Sequence, residues 1–465
     1  MDERKKLGLG SGVAVCMGLI VATSCLVSLG QGVGLAGKGF ILPLAIVVVL
    51  NSFIALSFAE LHRMMPNVTG GLGQYVLVGL GPWASIVSNI SAYVITMIFA
   101  MAVEVSMCGI VLNNLIPAVP PVVFSLLILL ALLAVNLFGI DLFAKVQNVT
   151  VILLIGSMAA LGFLSVLKLG SGAPILPGTQ SPAPMQTTGE LISLSAIAFW
   201  LFIGVEFIIP VAKDLRNPGR NVLLSMVIAL VVLFVVQAVL GSGMTNYVEL
   251  DTLSGSDMPH IIFAENLLGR GGQVWMAIVT MLASVSSLNT VMPSTGRILQ
   301  GMADENMVPA IFKKLNRRNV PWVGMLLLVV ADVVMIVTGY VNSSGLINLI
   351  LAGSCFWLSS YVLTHLNVLM LRKRYPNANR NKKLVFAGIP QIIGIFGNIY
   401  MIWNISSDME SRLMIYKVFV ALFVLLALYA FVWARGVQKV NPFKPTYIGR
   451  MNIEKGAAPE PRTSL

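Results

Sequence analysis

The chain has 465 residues, of which 57% are hydrophobic and only 11% charged, against roughly 25% charged in an average soluble protein. So few charges cannot clothe a soluble domain of this length, which excludes an ordinary cytosolic or secreted globular enzyme. The formal net charge of +11 is read below as topology and contact with an anionic leaflet, and nucleic acid is excluded as a partner.

Twelve apolar stretches follow one another: 12–36, 40–62, 83–112, 120–139, 145–168, 188–212, 220–245, 272–300, 321–341, 345–371, 383–405 and 412–434. About 20 apolar residues cross a hydrocarbon core of ~30 Å. In lipid every backbone polar group must be satisfied internally, so each stretch is predicted to be a helix. The expectation is an all-α membrane protein of about twelve transmembrane helices. The first stretch exceeds the length of a signal h-region and lacks an A-x-A-like boundary, so it counts as a span.

In chain order, the first stretch is interrupted at its centre by Ala22-Thr23-Ser24-Cys25 and then by glycines. Its end, Gly32-Val-Gly-Leu-Ala-Gly37, spells G-x-G-x-x-G. A dinucleotide site needs a preceding strand and a βαβ unit, so this is read as a hinge or packing surface. The third stretch carries Glu104, the ninth Asp332 and the tenth His365, each at membrane depth. The sixth reads Ser195-Ala-Ile-Ala-Phe-Trp200-Leu-Phe-Ile-Gly204-Val-Glu206, a glycine and an ionisable group together.

Small residues that let helices pack closely explain most such positions. Two interrupted spans five apart ask for more. Five is odd, so successive five-span units would lie in opposite orientations, and paired broken helices mark a transporter site. The division is then 1–11, an N-terminal segment; 12–168 and 188–371, two five-helix repeats; 383–434, two additional helices; and 435–465, a basic tail. The duplication rests on position, since no residue-level repeat is evident.

With the N-terminus placed in the cytoplasm, the outside keeps only Lys38, Lys168, Arg270, Arg412 and Lys417, leaving 25 of the 30 Lys and Arg inside. That bias is the positive-inside signature, and an even span count puts both termini in the cytoplasm. The four cysteines lie apart within spans, and His62, His260 and His365 form no H-E-x-x-H. No disulfide framework, metal site or cofactor is expected.

Three motifs then carry a family resemblance. Phe199-Trp-Leu-Phe-Ile-Gly-Val-Glu206 through Arg216-Asn-Pro-Gly-Arg-Asn221 resembles the sixth helix and following loop of the amino acid–polyamine–organocation transporters. Ser57-Phe-Ala-Glu60, Met65-Pro66 and Gly70-Gly71 resemble the end of that family's second helix, and Ala283–Asn289 through Gly296-Arg297 to Pro321-Trp322 its eighth-helix region. The details of the sixth helix lean toward the basic amino acid and polyamine antiporter branch.

The resemblance implies a 5+5 inverted repeat with broken first and sixth helices. In such a fold the N–H groups of the first break hold a substrate carboxylate, and carbonyls of the sixth accept the substrate ammonium. Carried onto this chain, Thr23, Ser24 and Cys25 would face the carboxylate, and Phe202, Ile203 and Gly204 the amine. The family's G-[ST]-G is replaced here by Ala22-Thr23-Ser24, which departs from its usual grip. Trp200 and Phe202 match positions that line or gate the pocket; packing aromatics is the other reading.

Glu206 matches an acid linked to proton-dependent change, and an acid within a span is costly and usually functional. Glu104 joins it as a coupling or gating candidate, although for Glu104 and Asp332 satisfaction by a neighbouring group explains as much. His365 is read as a core histidine. The fifth-helix lysine of some relatives aligns with Leu154, so that coupling device is absent.

The expected function is secondary active transport of amino acids by alternating access, as an exchanger or proton-linked. Alternatives are a polyamine or amine transporter of the same fold, or a membrane-embedded enzyme, for which no constellation is present. Expected partners are the amino acid or amine substrate and membrane lipid, with a homodimer left open, in the plasma (inner) membrane.

Overall fold

The computed structural model describes residues 7–66, 68, 73–138, 141–176, 178–341, 343–378 and 386–448. Of the quoted motifs, Gly70-Gly71 lie outside them. Apart from one isolated bridge between Leu7 and Leu215, all regular structure among the described residues is helical. The helices are α1 (Leu9–Ile20), α2 (Thr23–Ala36), α3 (Ile41–Met64), α4 (Gly73–Leu80), α5 (Pro82–Ile90), α6 (Thr96–Leu115), α7 (Pro121–Leu137) and α8 (Asp141–Val166). They continue as α9 (Thr188–Ser193), α10 (Ser195–Trp200), α11 (Pro218–Met244), α12 (Leu250–Gly255), α13 (Pro259–Asp304), α14 (Trp322–Val337), α15 (Ser343–Arg374), α16 (Ile389–Trp403) and α17 (Met409–Gly436).

Among the described residues nine helical stretches are long and apolar enough to cross a membrane, and Leu9–Gly18, Pro121–Leu137 and Trp322–Val337 are shorter apolar helices. The last two occupy the predicted fourth and ninth spans. At 17 residues, α7 is roughly 26 Å long, just short of the hydrocarbon core. Its start is fixed by Pro120-Pro121, with Pro121 at the first position, where a missing N–H costs no bond. In α13 the chain bends at Leu268-Gly269, where Gly269 takes φ 62°. The predicted span 272–300 therefore begins just past a kink rather than at a loop. α15 runs beyond its apolar stretch so that Arg372, Lys373 and Arg374 fill its last turn, where cations complement the helix dipole.

The two predicted interruptions are real. α1 and α2 are halves of one crossing, separated by extended residues Val21 and Ala22. α10 stops at Trp200, and after Gly204 the chain resumes as a tighter 3-10 helix, Val205–Asp214. Both broken crossings are enclosed by α3, α6, α11, α13 and α15. Outward faces are the reverse of a soluble protein: Leu127, Ile152, Phe396, Trp403, Leu425 and Val432 are exposed. An apolar exterior around a polar-lined interior is what hydrocarbon surroundings require. The chain is a multi-span, all-helical membrane protein.

Candidate functional site

Breaking a helix frees the first N–H groups of the half that follows and the last carbonyls of the half that precedes. At the first break the N–H groups of Thr23 and Ser24 both donate to the carboxylate of Glu104, at 2.8 Å to Oε2 and 2.8 Å to Oε1. Glu104 comes from α6 and is buried. The Ser284 hydroxyl of α13 adds a third donor at 2.8 Å, and the Thr23 hydroxyl lies 3.0 Å from the Thr280 carbonyl. The Cys25 thiol turns back to the Ile20 carbonyl at 3.0 Å, one of the acceptors that the end of α1 leaves free. An anion at a helix N-terminus is favoured by both the free N–H groups and the dipole. Here the protein provides that anion itself.

At the second break the acceptors are met by neutral amides. Gln237 of α11 donates to the Leu201 carbonyl at 3.1 Å, and Asn51 of α3 to the Phe202 carbonyl at 3.1 Å. Gly204 takes φ 103°, ψ 13°, a left-handed conformation that favours glycine. Glu206, fully buried, accepts from the Tyr361 hydroxyl at 2.8 Å and the Tyr93 hydroxyl at 3.2 Å. Tyr93 meets Phe207 and Trp357 edge-on, and Tyr361 meets Phe199 the same way. Among the described residues no Lys, Arg or His stands within ion-pair distance of Glu104 or Glu206.

The two breaks face each other. The Trp200 indole N–H donates to the Ser24 hydroxyl at 2.8 Å, and the Cys25 thiol lies 3.6 Å from the Trp200 carbonyl. Thr23, Ser24, Cys25, Trp200, Phe202, Ile203, Gly204, Glu206 and Glu104 are thus gathered around one buried locus. Their bonds differ from the expected roles. The Thr23 and Ser24 N–H groups hold Glu104, and the Phe202 carbonyl holds Asn51. Asn51, Gln237, Tyr93, Tyr361 and Ser284 are partners that sequence reasoning missed. Asn51 and Gln237 had a legible signal, an amide midway along an otherwise apolar span.

Other predicted positions fall elsewhere. Asp332 is buried on α14, with neither carboxyl oxygen hydrogen-bonded among the described residues. His365 is a core histidine satisfied on one side, its Nδ1 3.0 Å from the Ser57 hydroxyl and its Nε2 without a partner among the described residues. The G-x-G-x-x-G stretch is a packing surface: α12 lies against α2, so close at Gly34 that a Cβ there would run into the backbone of Ser254 and Leu250. That contact packs α12 against the end of the first crossing. At the other end the Arg216 N–H donates to the Leu7 carbonyl at 2.9 Å, and the Arg63 guanidinium grips the Gly219 carbonyl at 2.9 and 2.6 Å. Among the described residues no group of three or more His, Cys, Asp or Glu could hold a metal.

The amino acid permease family model matches residues 12–447, and the chain belongs to that family. It is 25% identical over 464 residues to the branched-chain amino acid permease BcaP of Bacillus subtilis, covering 94% of this chain and 95% of that one. It is 26% identical over 442 residues to the aromatic amino acid transport protein AroP of Corynebacterium glutamicum, covering 88% and 92%. Among solved structures it resembles a manganese transporter of Eremococcus coleocola, with TM-score 0.62 and 15% identity over 92% of this chain and 94% of that one. That last likeness concerns the fold alone. The protein is a membrane transporter of amino acids and not an enzyme.

Proposed function

We propose that the chain moves its substrate by alternating access around the two facing breaks, as an exchanger or with proton linkage. The observation that carries this reading is the pairing of a helix N-terminus at Thr23-Ser24 with a carbonyl-rich break at Leu201–Gly204, the two joined by the Trp200–Ser24 hydrogen bond. Thr23, Ser24, Cys25, Trp200, Phe202, Ile203 and Gly204 line the substrate locus. Glu206 is the coupling group, since a fully buried carboxyl group facing the Tyr361 and Tyr93 hydroxyls can exchange a proton between states without leaving its place. Glu104 gates the same locus. The Lys and Arg bias supports both termini in the cytoplasm and a place in the plasma membrane.

Counterflow in proteoliposomes tests the reading. Preloaded amino acid or amine should drive accumulation of its labelled counterpart, and a preparation that exchanges nothing across a broad panel would overturn it. Glu206→Gln preserves shape and removes titration. Exchange that survives with a flattened pH profile is expected; an unchanged profile in a folded Gln variant would assign Glu206 a purely structural role. Reporters fused at each end read the topology, and termini on opposite sides would break the even span count.

A further inference from the structure

We propose that Gly353 of α15 seats the Trp200 ring and thereby sets the size of the amino acid side chain that the locus accepts. This rests on the transport reading above and concerns the specificity of that same locus. The indole of Trp200 is held at both ends. Its N–H donates to the Ser24 hydroxyl of α2 at 2.8 Å. Its far edge lies over Gly353, where a Cβ would stand 3.3 Å from Cζ3 and 3.6 Å from Cη2 of the ring. The same Cβ would stand 3.2 Å from Cγ2 of Thr96. The ring thus fills the space between the first break and the tenth span. Glycine inside a helix is less stable than alanine, and Gly353 is not among the glycines of positive φ. Backbone conformation therefore does not call for glycine here; the close approach of the ring does.

The seat is itself fixed. The Thr96 hydroxyl, at the start of α6, lies 3.0 Å from the Gly353 carbonyl and 3.0 Å from that of Ser91. This pins α15 to the turn from which α6 begins. Gly353, Thr96 and Trp200 are all buried, and close-packed interiors transmit strain rather than absorb it. A methyl group at position 353 would push the ring toward α2 and the locus by a few tenths of an ångström. Trp200 immediately precedes the Leu201 and Phe202 carbonyls at the second break. An amino acid whose ammonium meets those carbonyls starts its side chain beside the indole, because only the α-carbon separates the two. The room left for that side chain ends where the ring stops, and the ring stops at Gly353.

Side-chain preference in counterflow tests the seat, with the full-length protein in proteoliposomes and the proteinogenic amino acids as probes. For Gly353→Ala the largest uncharged probe exchanged should lose at least about threefold against the smallest, in KM rather than in turnover, short of the ~tenfold that a whole methylene is worth. Trp200→Phe removes the ring edge that meets Gly353. Adding Gly353→Ala in that background should leave the preference where Trp200→Phe alone puts it, the non-additivity expected of residues in contact. If Gly353 only packs α15 against α6, the preference stays unmoved and the loss appears in the melting temperature. Thr96→Ser, which removes Cγ2, then restores that temperature and Trp200→Phe does not. This pattern would overturn the inference and leave the transport reading standing. Exchange of no amino acid by the wild type would overturn both. Should Gly353→Ala not fold, Trp200→Phe carries the test alone. Shortening the ring should favour the largest probe by at least about threefold, and an unmoved preference would overturn the inference.

Discussion

The two breaks solve the same backbone problem with opposite chemistry. At the first, two extended residues interrupt the helix without a positive φ, and the exposed donors are met by a charged group from α6. At the second, the chain passes through a left-handed glycine into a 3-10 helix, and the exposed acceptors are met by uncharged amides. Donors attract anions, and the fold supplies one. Acceptors attract cations, and the fold withholds one. A transporter needs its site polar enough to bind and incomplete enough to release, and the incompleteness is concentrated at the sixth crossing.

The comparison breaks most readily at Gly204. A β-branched residue cannot hold φ 103° without strain, which costs on the order of 1–3 kcal/mol. Gly204→Val should therefore lower stability by about that much and abolish exchange. Ala22→Gly at the first break should fold normally and keep exchange, because Ala22 sits in ordinary extended backbone. Thermal melts and counterflow on the pair decide the matter. Equal sensitivity at both positions would erase the distinction drawn between the breaks.

Much of this was legible in the sequence, and the reasons are physical. Apolar length gives away spans because lipid admits little else, and Gly204 beside Glu206 in an apolar run marked the sixth break. The first break was legible from Thr23, Ser24 and Cys25 although both family glycines are missing, since two residues of extended chain suffice without a left-handed turn. What could not be read is which groups meet across the bundle. Glu104 lies 80 residues from Ser24 and Tyr361 lies 155 from Glu206, and no local pattern encodes such pairings. The fourth and ninth spans proved shorter than their apolar stretches, since hydropathy runs on into the turns that end a helix.

The next effects concern how the second break is held. Tyr361→Phe removes the 2.8 Å donor to Glu206, and leaving a buried acceptor without its donor costs roughly 1–3 kcal/mol. Tyr93→Phe removes the longer one, at 3.2 Å, and should cost less. Chemical denaturation or thermal melts rank the two, and the reverse order would mean that Tyr93 is the main support. Asn51→Leu leaves the Phe202 carbonyl unpaired, at about 1–3 kcal/mol. If the substrate ammonium uses that carbonyl, Asn51→Leu should tighten amine binding while lowering stability. A loss of both would identify Asn51 as part of the grip itself.

The smallest effect lies outside the membrane and serves as a contrast with Glu104, since Asp408 also caps a helix N-terminus with a carboxylate. It accepts from the Ser411 N–H at 2.7 Å at the start of α17, but as the N-cap of that same helix and in the open. That backbone bond holds the Asp408 carboxyl below its ordinary value of 3.8. A group whose folded value is depressed contributes stability above the unfolded value and loses it as pH falls through the folded one. Asp408→Asn keeps a capping oxygen and should melt close to the wild type near neutral pH, while Asp408→Ala should melt slightly lower. The gap to Ala should close as pH drops below 3.8. Exposure to solvent and salt screens this cap, so its removal should leave exchange untouched, whereas Glu104 makes the same kind of cap buried beside the two breaks. A loss of exchange in Asp408→Ala would show that α17 is coupled to the site, and the contrast between a structural and a functional cap would fail.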